Sequence, residues 1–85
     1  MKYQVIWKQI AENELTSIWL SSHDRGDVTA AATNLDKLLA SNPLKLGESR
    51  SSSIHRIAYF SPLGIEYEVI IDDKRVIVQG VFRTD

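Results

Sequence analysis

The 85-residue chain has no cysteine, two histidines, two prolines and four glycines. The absence of cysteine excludes a disulfide framework and a thiolate metal site. His23 and His55 are isolated in the sequence, and two histidines alone do not make a zinc site. We therefore predict that the protein holds neither a metal ion nor a cofactor.

A long apolar segment is also missing. The apolar runs extend over a few residues, whereas a helix that crosses a bilayer needs about 20. The first five residues, MKYQV, contain no apolar core of a signal peptide. We therefore predict a cytoplasmic protein that does not enter a membrane.

The chain has little excess of charge of either sign. Its net charge is -1; residues 1–42 carry four basic and five acidic side chains, and residues 43–85 carry six of each. This even distribution excludes a basic domain that binds nucleic acid through bulk electrostatics. Apolar residues make up 44% of the chain and charged residues 25%, an ordinary globular composition, and we predict a single domain over residues 1–85.

The apolar pattern begins with a short strand and then changes to helical spacing. Residues 3–7 alternate between apolar and polar side chains, which predicts a first strand. Four apolar residues then recur at helical spacing and define one side of a first helix: Ala11, Leu15, Ile18 and Trp19. Residues 23–26 break this pattern and end the helix.

A second helix has the strongest periodicity of the sequence. Asp27 stands where it can cap the first turn, and Asn42-Pro43 ends the helix because proline disfavours helical backbone in the residue before it. The apolar side of this helix consists of Val28, Ala31, Ala32, Leu35, Leu38 and Leu39. The two helices form an antiparallel hairpin that must bury its apolar side. The predicted core combines Val28, Leu35 and Leu38 with Val69 and Val78 of later strands.

The last part of the chain has strand character. Three segments are rich in β-forming or alternating apolar side chains: 54–60, 65–71 and 76–82. Residues 61–64 and 72–74 have turn chemistry between them, so that residues 54–83 are predicted to form a three-stranded antiparallel meander. The order β-α-α-β-β-β predicts an α+β fold, in which the helical hairpin packs on one face of a small, mainly antiparallel sheet.

The other face of this sheet is expected to stay partly open and to carry the function. If Tyr67 faces the helices, then Glu66 and Glu68 face away from them. For the last strand we assign to the core Val76, Val78, Gly80 and Phe82, and to the open face Arg75, Ile77, Gln79, Val81 and Arg83. The strand before leaves two alternatives for the open face: Arg56, or the pair of His55 and Tyr59.

Five short segments together resemble a known family. They are AENEL at 11–15, LDKLL at 35–39, NP at 42–43, GESR at 47–50 and IEYEV at 65–69. In this order and spacing they resemble the RelE/ParE superfamily of toxins from type II toxin–antitoxin, or plasmid stabilisation, modules of bacteria. The resemblance covers nearly the whole chain, and the fold it implies matches the fold predicted from periodicity.

The resemblance implies one of two activities. RelE-like members are ribosome-dependent, metal-independent endoribonucleases that cut mRNA, with several cations of the open face around one phosphate. ParE-like members bind DNA gyrase and poison it. Members of both kinds bind a cognate antitoxin protein, whose C-terminal segment wraps the toxin and silences it.

Two features of the family's ribonuclease site are absent from this sequence. The arginine on the strand after the turn falls at Gly64 or Ile65, and the following strand carries Glu66 and Glu68 instead. The Tyr or His that some ribonucleases have beyond the last strand has no counterpart after Arg83. The missing strand arginine, together with the low pI of 6.1, favours a ParE-like gyrase-binding toxin, or an inert member that still binds its antitoxin, over the ribonuclease.

Other positions of the family's site are matched. Arg83 corresponds to the basic residue near the end of the last strand, and Arg50 and Arg56 correspond to the basic pair before and in the first meander strand. His55 or Tyr59 takes the place of the missing Tyr or His if it faces the open side. These five residues are the candidate catalytic residues, with Arg83 expected to be exposed and of slight structural importance.

Each candidate also has a structural interpretation. Arg56 and Arg83 form cross-strand ion pairs with Glu66 and Glu68 on a solvated face, each pair contributing a fraction of a kcal/mol. His55 is then a hydrogen-bonded structural histidine in a strand. Arg50, in a serine-rich loop, is then a solvated side chain.

Overall fold

Seven helices and strands make up the fold in the computed structural model, which describes residues 2–45, 48–49 and 55–84. In chain order they are β1 (Gln4–Trp7), α1 (Gln9–Ser21), α2 (Arg25–Ser41), β2 (Glu48–Ser49), β3 (His55–Phe60), β4 (Leu63–Ile70) and β5 (Arg75–Arg83). None of the helices described is long and apolar enough to cross a membrane.

The strands form one mixed sheet in the order β1-β5-β4-β3-β2. β1 pairs in parallel with β5, and the other neighbours are antiparallel. The predicted α+β fold, with its helical hairpin and three-stranded meander, is confirmed. The two-residue strand β2 was not predicted. The β4 strand begins at Leu63, within the segment that was predicted as a turn.

The core lies between the two helices and one face of the sheet. α2 contributes Val28, Ala31, Leu35 and Leu39, all fully or almost fully buried. These residues recur every three or four positions, as the periodicity predicted. Leu38 was also predicted to lie in the core, but it is 37% exposed. It stands one position before Leu39, about 100° around the helix, and therefore outside the buried stripe.

The N-terminus of α2 differs from the prediction. The helix begins at Arg25, and Asp24 rather than Asp27 stands at the capping position. The Asp24 carboxylate makes no capping hydrogen bond to the helix; both of its oxygens accept hydrogen bonds from Arg83 instead. Asp24 therefore serves a tertiary contact with the last strand rather than a cap on its own helix.

The C-terminal end of α2 is fastened to the middle of the sheet. The helix ends at Ser41, where the Asn42 N–H donates to the Leu38 carbonyl over 2.8 Å. Pro43 is buried, and its carbonyl accepts a 2.8 Å hydrogen bond from the Tyr67 hydroxyl. Burial raises the pKa of Tyr67 to about 12, which the nearby Arg56 guanidinium partly opposes. The hydroxyl therefore stays protonated and able to donate.

The β5 strand contains one residue more than its partner β4 can match. Glu66 pairs with Gly80 and Tyr67 with Val78, so that Gln79 is an extra residue in a β-bulge. Because side chains alternate along a strand, the extra residue reverses the faces of all positions that follow it. Val81 is accordingly buried in the core, whereas we had assigned it to the open face. The assignment of Phe82 to the core is wrong for the same reason. Gly80, within the bulge, is half-buried, and an added Cβ there would lie 3.4 Å from the Glu14 carboxylate of α1.

Leu35→Ala is expected to destabilise the protein by about 2–5 kcal/mol, because it leaves a cavity in a fully buried site. Chemical denaturation measures this loss as the change in the free energy of unfolding. Leu38→Ala, on the partly exposed side of the same helix, is the matched control and should cost clearly less. Equal losses for the two variants would show that the buried stripe of α2 is placed wrongly.

Candidate functional site

No described helix covers the face of the sheet opposite the core. Cross-strand partners lie on the same face of a sheet, and the register therefore arranges the side chains in rows. We call this surface the open face; its rows are Ile6-Ile77-Glu68-His55, then Glu66-Ile57, then Phe82-Gly64-Tyr59. Of the two alternatives for β3, the pair of His55 and Tyr59 is the one that reaches the open face.

An aromatic pair closes one end of the open face. The rings of Tyr59 and Phe82 meet edge to face with their centroids 6.1 Å apart. Phe82 lies directly over Gly64, where an added Cβ would be 2.5 Å from two ring carbons. A side chain at position 64 would therefore displace Phe82. The arginine expected near this position for a RelE-like ribonuclease has no room in this packing.

The central strand of the open face is acidic. Glu68 lies with its Oε2 atom 3.4 Å from Nε2 of His55 on β3, so one cross-strand pair exists, although not with an arginine. Glu66, two residues earlier on the same face, is exposed and makes no hydrogen bond or ion pair with the described residues. The carboxylates stand among apolar neighbours, Ile57 and Ile77.

Arg83 was predicted to lie on the open face, but it does not. It follows the bulge and points toward the link between α1 and α2, where its guanidinium forms a two-pronged pair with Asp24. The two hydrogen bonds measure 3.0 and 3.1 Å, and a third, of 2.7 Å, reaches the Ser22 hydroxyl. Its side chain is 27% exposed. The prediction that Arg83 is exposed is therefore wrong, and the alternative pairing with Glu66 or Glu68 is not formed. Its slight structural importance stays a prediction, which these three hydrogen bonds argue against.

Arg56 also lies on the helix side of the sheet. Its cross-strand partner is the core residue Tyr67, and its Nε atom is buried without a hydrogen-bond partner among the described residues. Arg50, the third candidate arginine, lies outside the described residues. Of the arginines on the described strands, only Arg75 has the same parity as the open-face residues, and it stands at the far end of the sheet.

A second surface feature is a groove between the two helices. It is lined by Leu15 and Thr16 of α1 and by Ala32 and Thr33 of α2. Two indole N–H groups form hydrogen bonds beside this groove. Trp7 of β1 donates to Asp36 of α2 over 3.0 Å. Trp19 donates to the Thr29 hydroxyl over 3.1 Å.

No cluster of three metal-ligating side chains exists among the residues that the structure describes. Among the described residues Glu68 is the carboxylate paired with His55, and His23 lies in the link between the two helices. The prediction that no metal is bound stays a prediction.

The geometry agrees with comparisons at the level of fold. Neither a protein-family model nor a curated protein matches the sequence. Solved structures do match. A chain of the toxin–antitoxin complex RelBE2 from Mycobacterium tuberculosis superimposes with a TM-score of 0.79 and 16% identity, over 98% of this chain and 99% of the other.

Two further structures are similar in the same way. A chain of the chromosomal ParDE toxin–antitoxin system of P. aeruginosa has a TM-score of 0.74 and 13% identity, over 98% of this chain and 97% of its own. A chain of the intact E. coli RelBE complex has a TM-score of 0.68 and 18% identity, with 98% of both chains covered. The predicted RelE/ParE fold is confirmed; identities this low establish the fold alone.

Several residues of this site were not found from the sequence. Asp24 and Ser22 hold Arg83 from 59 and 61 positions away, and no local pattern announces so distant a contact. Glu14 of α1 accepts a 3.1 Å hydrogen bond from the Val81 N–H of β5, and it looked like an ordinary exposed helix residue. The bulge has one sequence signal, the glycine at position 80 in the interior of a predicted strand.

The contact between Asp24 and Arg83 is expected to give stability a defined pH dependence. Hydrogen bonds from Arg83 hold the pKa of the Asp24 carboxyl below 3.8. Because the folded pKa is depressed, the stabilisation is complete above the unfolded value near 3.8 and is lost as pH falls through the folded value. Asp24→Asn should therefore lower the melting temperature at neutral pH, and the difference from wild type should shrink below pH 3.8.

Thermal melts of both proteins across this pH range make the measurement. Asp27→Asn, an exposed carboxylate in the first turn of the same helix, is the control and should show a much smaller difference at neutral pH. A difference between wild type and Asp24→Asn that stays constant down to the lowest pH would show that the ion pair is not its source.

Proposed function

We propose that this chain is the toxin of a type II toxin–antitoxin pair and that it inhibits growth by binding a protein target. DNA gyrase is the first candidate target, because the resemblance includes ParE-like toxins. The fold supports the general assignment: the similar structures come from RelBE2, ParDE and RelBE toxin–antitoxin systems.

The acidic open face is the observation that favours protein binding over RNA cleavage as the function. Metal-independent cleavage of RNA needs cations around the reacting phosphate. Here Arg83 is bound to Asp24 on the other side of the sheet, and the central strand of the open face presents Glu66 and Glu68. Two carboxylates at this position repel a phosphate backbone.

A cognate antitoxin is the second partner in this proposal. The crystallised RelBE2 and RelBE assemblies are toxin–antitoxin complexes, and the chain that matches in each has nearly the same length as this one. By analogy, a small protein encoded beside this one should bind the chain and relieve its effect on growth.

A RelE-like ribosome-dependent mRNA endoribonuclease is the alternative, and one observation favours it. His55 and Tyr59 both lie on the open face, and the His55 imidazole is 3.4 Å from a Glu68 carboxylate oxygen. An imidazole beside a carboxylate is a plausible acid–base pair for proton transfer. In that alternative His55 and Tyr59 are catalytic. The reaction also needs cations around the phosphate, but Arg56 and Arg83 do not lie on the open face, and Arg50 lies outside the described residues.

Induced expression should distinguish the proposed functions. We expect wild-type protein to arrest growth and to change the supercoiling of a reporter plasmid, while mRNA stays intact. Growth, transcript integrity by primer extension, and plasmid topoisomers are followed in the same cultures. Co-expression of the adjacent small gene should restore growth.

His55→Gln separates protein binding from catalysis. If the toxin acts by binding, the variant should still arrest growth, since the imidazole transfers no proton. Transcript cleavage by the wild type that disappears in His55→Gln would establish the ribonuclease instead. A soluble, folded wild type that neither slows growth nor binds the adjacent gene's product would rule out the toxin assignment.

A further inference from the structure

The open face leaves apolar side chains uncovered. Both helices pack on the opposite side of the sheet. On the open face Tyr59 is 58% exposed and Ile6 36% exposed, and Ile77 and Phe82 are only half-buried. Apolar residues that are grouped on one surface, rather than scattered, mark a site of interaction.

The charge at the centre of this apolar surface has a single sign. Glu66 and Glu68 stand two residues apart on β4 and therefore point the same way, about 7 Å apart. Their cross-strand neighbours on β3 and β5 include no arginine or lysine. Glu68 has His55 as its neighbour, and Glu66 has no partner among the described residues. Carboxylates this close gain most from a partner that brings positive charge.

The structure also shows why two arginines of the meander leave these carboxylates without a partner. The bulge at Gln79 reverses the direction of the strand's side chains, and Arg83 is retained by Asp24 and Ser22. Arg56 lies on the core side. Arg56 and Arg83 are therefore unable to neutralise Glu66 and Glu68 without a change of face. Arg75, two residues along β5 from Ile77, the partner of Glu68, is on the open face but forms no ion pair with either carboxylate among the described residues.

We infer that the open face binds a basic, amphipathic protein segment, and this inference rests on the proposed function because it names the chemistry of the target. Lysine or arginine side chains of that segment meet Glu66 and Glu68, and its apolar side chains cover Ile77 and the Tyr59 ring. Arginine suits the task because its planar fork binds two carboxylate oxygens. The aliphatic stems of arginine and lysine also cover Ile77 beside Glu68.

Three labelled peptides of about 16 residues, with one leucine stripe and polar positions that are all Lys, all Gln or all Glu, are the probes. Fluorescence anisotropy with purified full-length protein gives the affinities. We expect the Lys peptide to bind roughly tenfold more tightly than the Gln peptide, and the Glu peptide to bind least. A labelled single-stranded RNA of mixed sequence should not bind.

The double variant Glu66→Gln, Glu68→Gln should lose roughly tenfold in affinity for the Lys peptide. Its matched control is Glu12→Gln, Asp27→Asn, which removes the same charge from exposed positions on the helices and should bind as wild type does. If the double variant does not fold, Glu66→Gln alone, at an exposed position, replaces it and should lose about threefold.

An equal loss in the helix control, or none in the open-face variant, would overturn the inference, and so would RNA that binds more tightly than the Lys peptide. In cells, the open-face variant should lose growth inhibition and the helix control should keep it. An inert wild type in cells defeats the proposed function but leaves the peptide measurement valid. A toxic wild type whose toxicity survives the open-face variant defeats the inference alone.

Discussion

The extra residue at Gln79 is the constraint on which both faces of this sheet depend. A single insertion in β5 reverses the side chains that follow it. Val81 thereby enters the core and Phe82 moves to the open face, where it lies over Gly64 and meets Tyr59. The bulge thus determines which chemistry each side of the molecule presents.

The helical layer is adapted to the strand beyond the bulge. α1 supplies the Glu14 carboxylate to the Val81 N–H, and the link between the helices supplies Asp24 and Ser22 to Arg83. These contacts bind the end of β5 to the helical hairpin. Arg83 therefore holds the sheet and the helical layer together. Asp24, which binds Arg83, makes no capping hydrogen bond to the N-terminus of α2.

Much of the fold was predictable because it follows from periodicities within single elements. The spacing of Val28, Ala31, Leu35 and Leu39 defines a buried helix face without knowledge of its partner. The alternation in β4 likewise places Tyr67 inside and Glu66 outside. The parallel pairing of β1 with β5 was harder to predict, because the two strands are separated by nearly the whole chain and no turn determines their register.

The candidate site was predicted less well for a related physical reason. Assigning a face by counting along a strand works only while every residue has a partner, and it fails beyond the first bulge. Glu66 and Glu68 lie on β4, which has no extra residue, and Arg75 precedes Gln79 on β5, so all three were assigned correctly. Phe82 and Arg83 follow Gln79 on β5 and were not. Arg83 therefore matches the family's position in residue type, but the bulge turns its side chain to the helix side of the sheet, where it binds Asp24.

The consequence for function is that a shared fold does not imply a shared surface potential. The similar structures have 13–18% identity to this chain, which leaves nearly every exposed position free to differ. In this chain the central strand of the open face carries carboxylates, and the last arginine binds an aspartate on the far side. A partner is selected by the charge and apolar area that it meets, not by the order of the strands beneath them. The open face of this chain differs from a face lined with cations in two respects: its central strand presents two carboxylates, and the Arg83 side chain points to the far side.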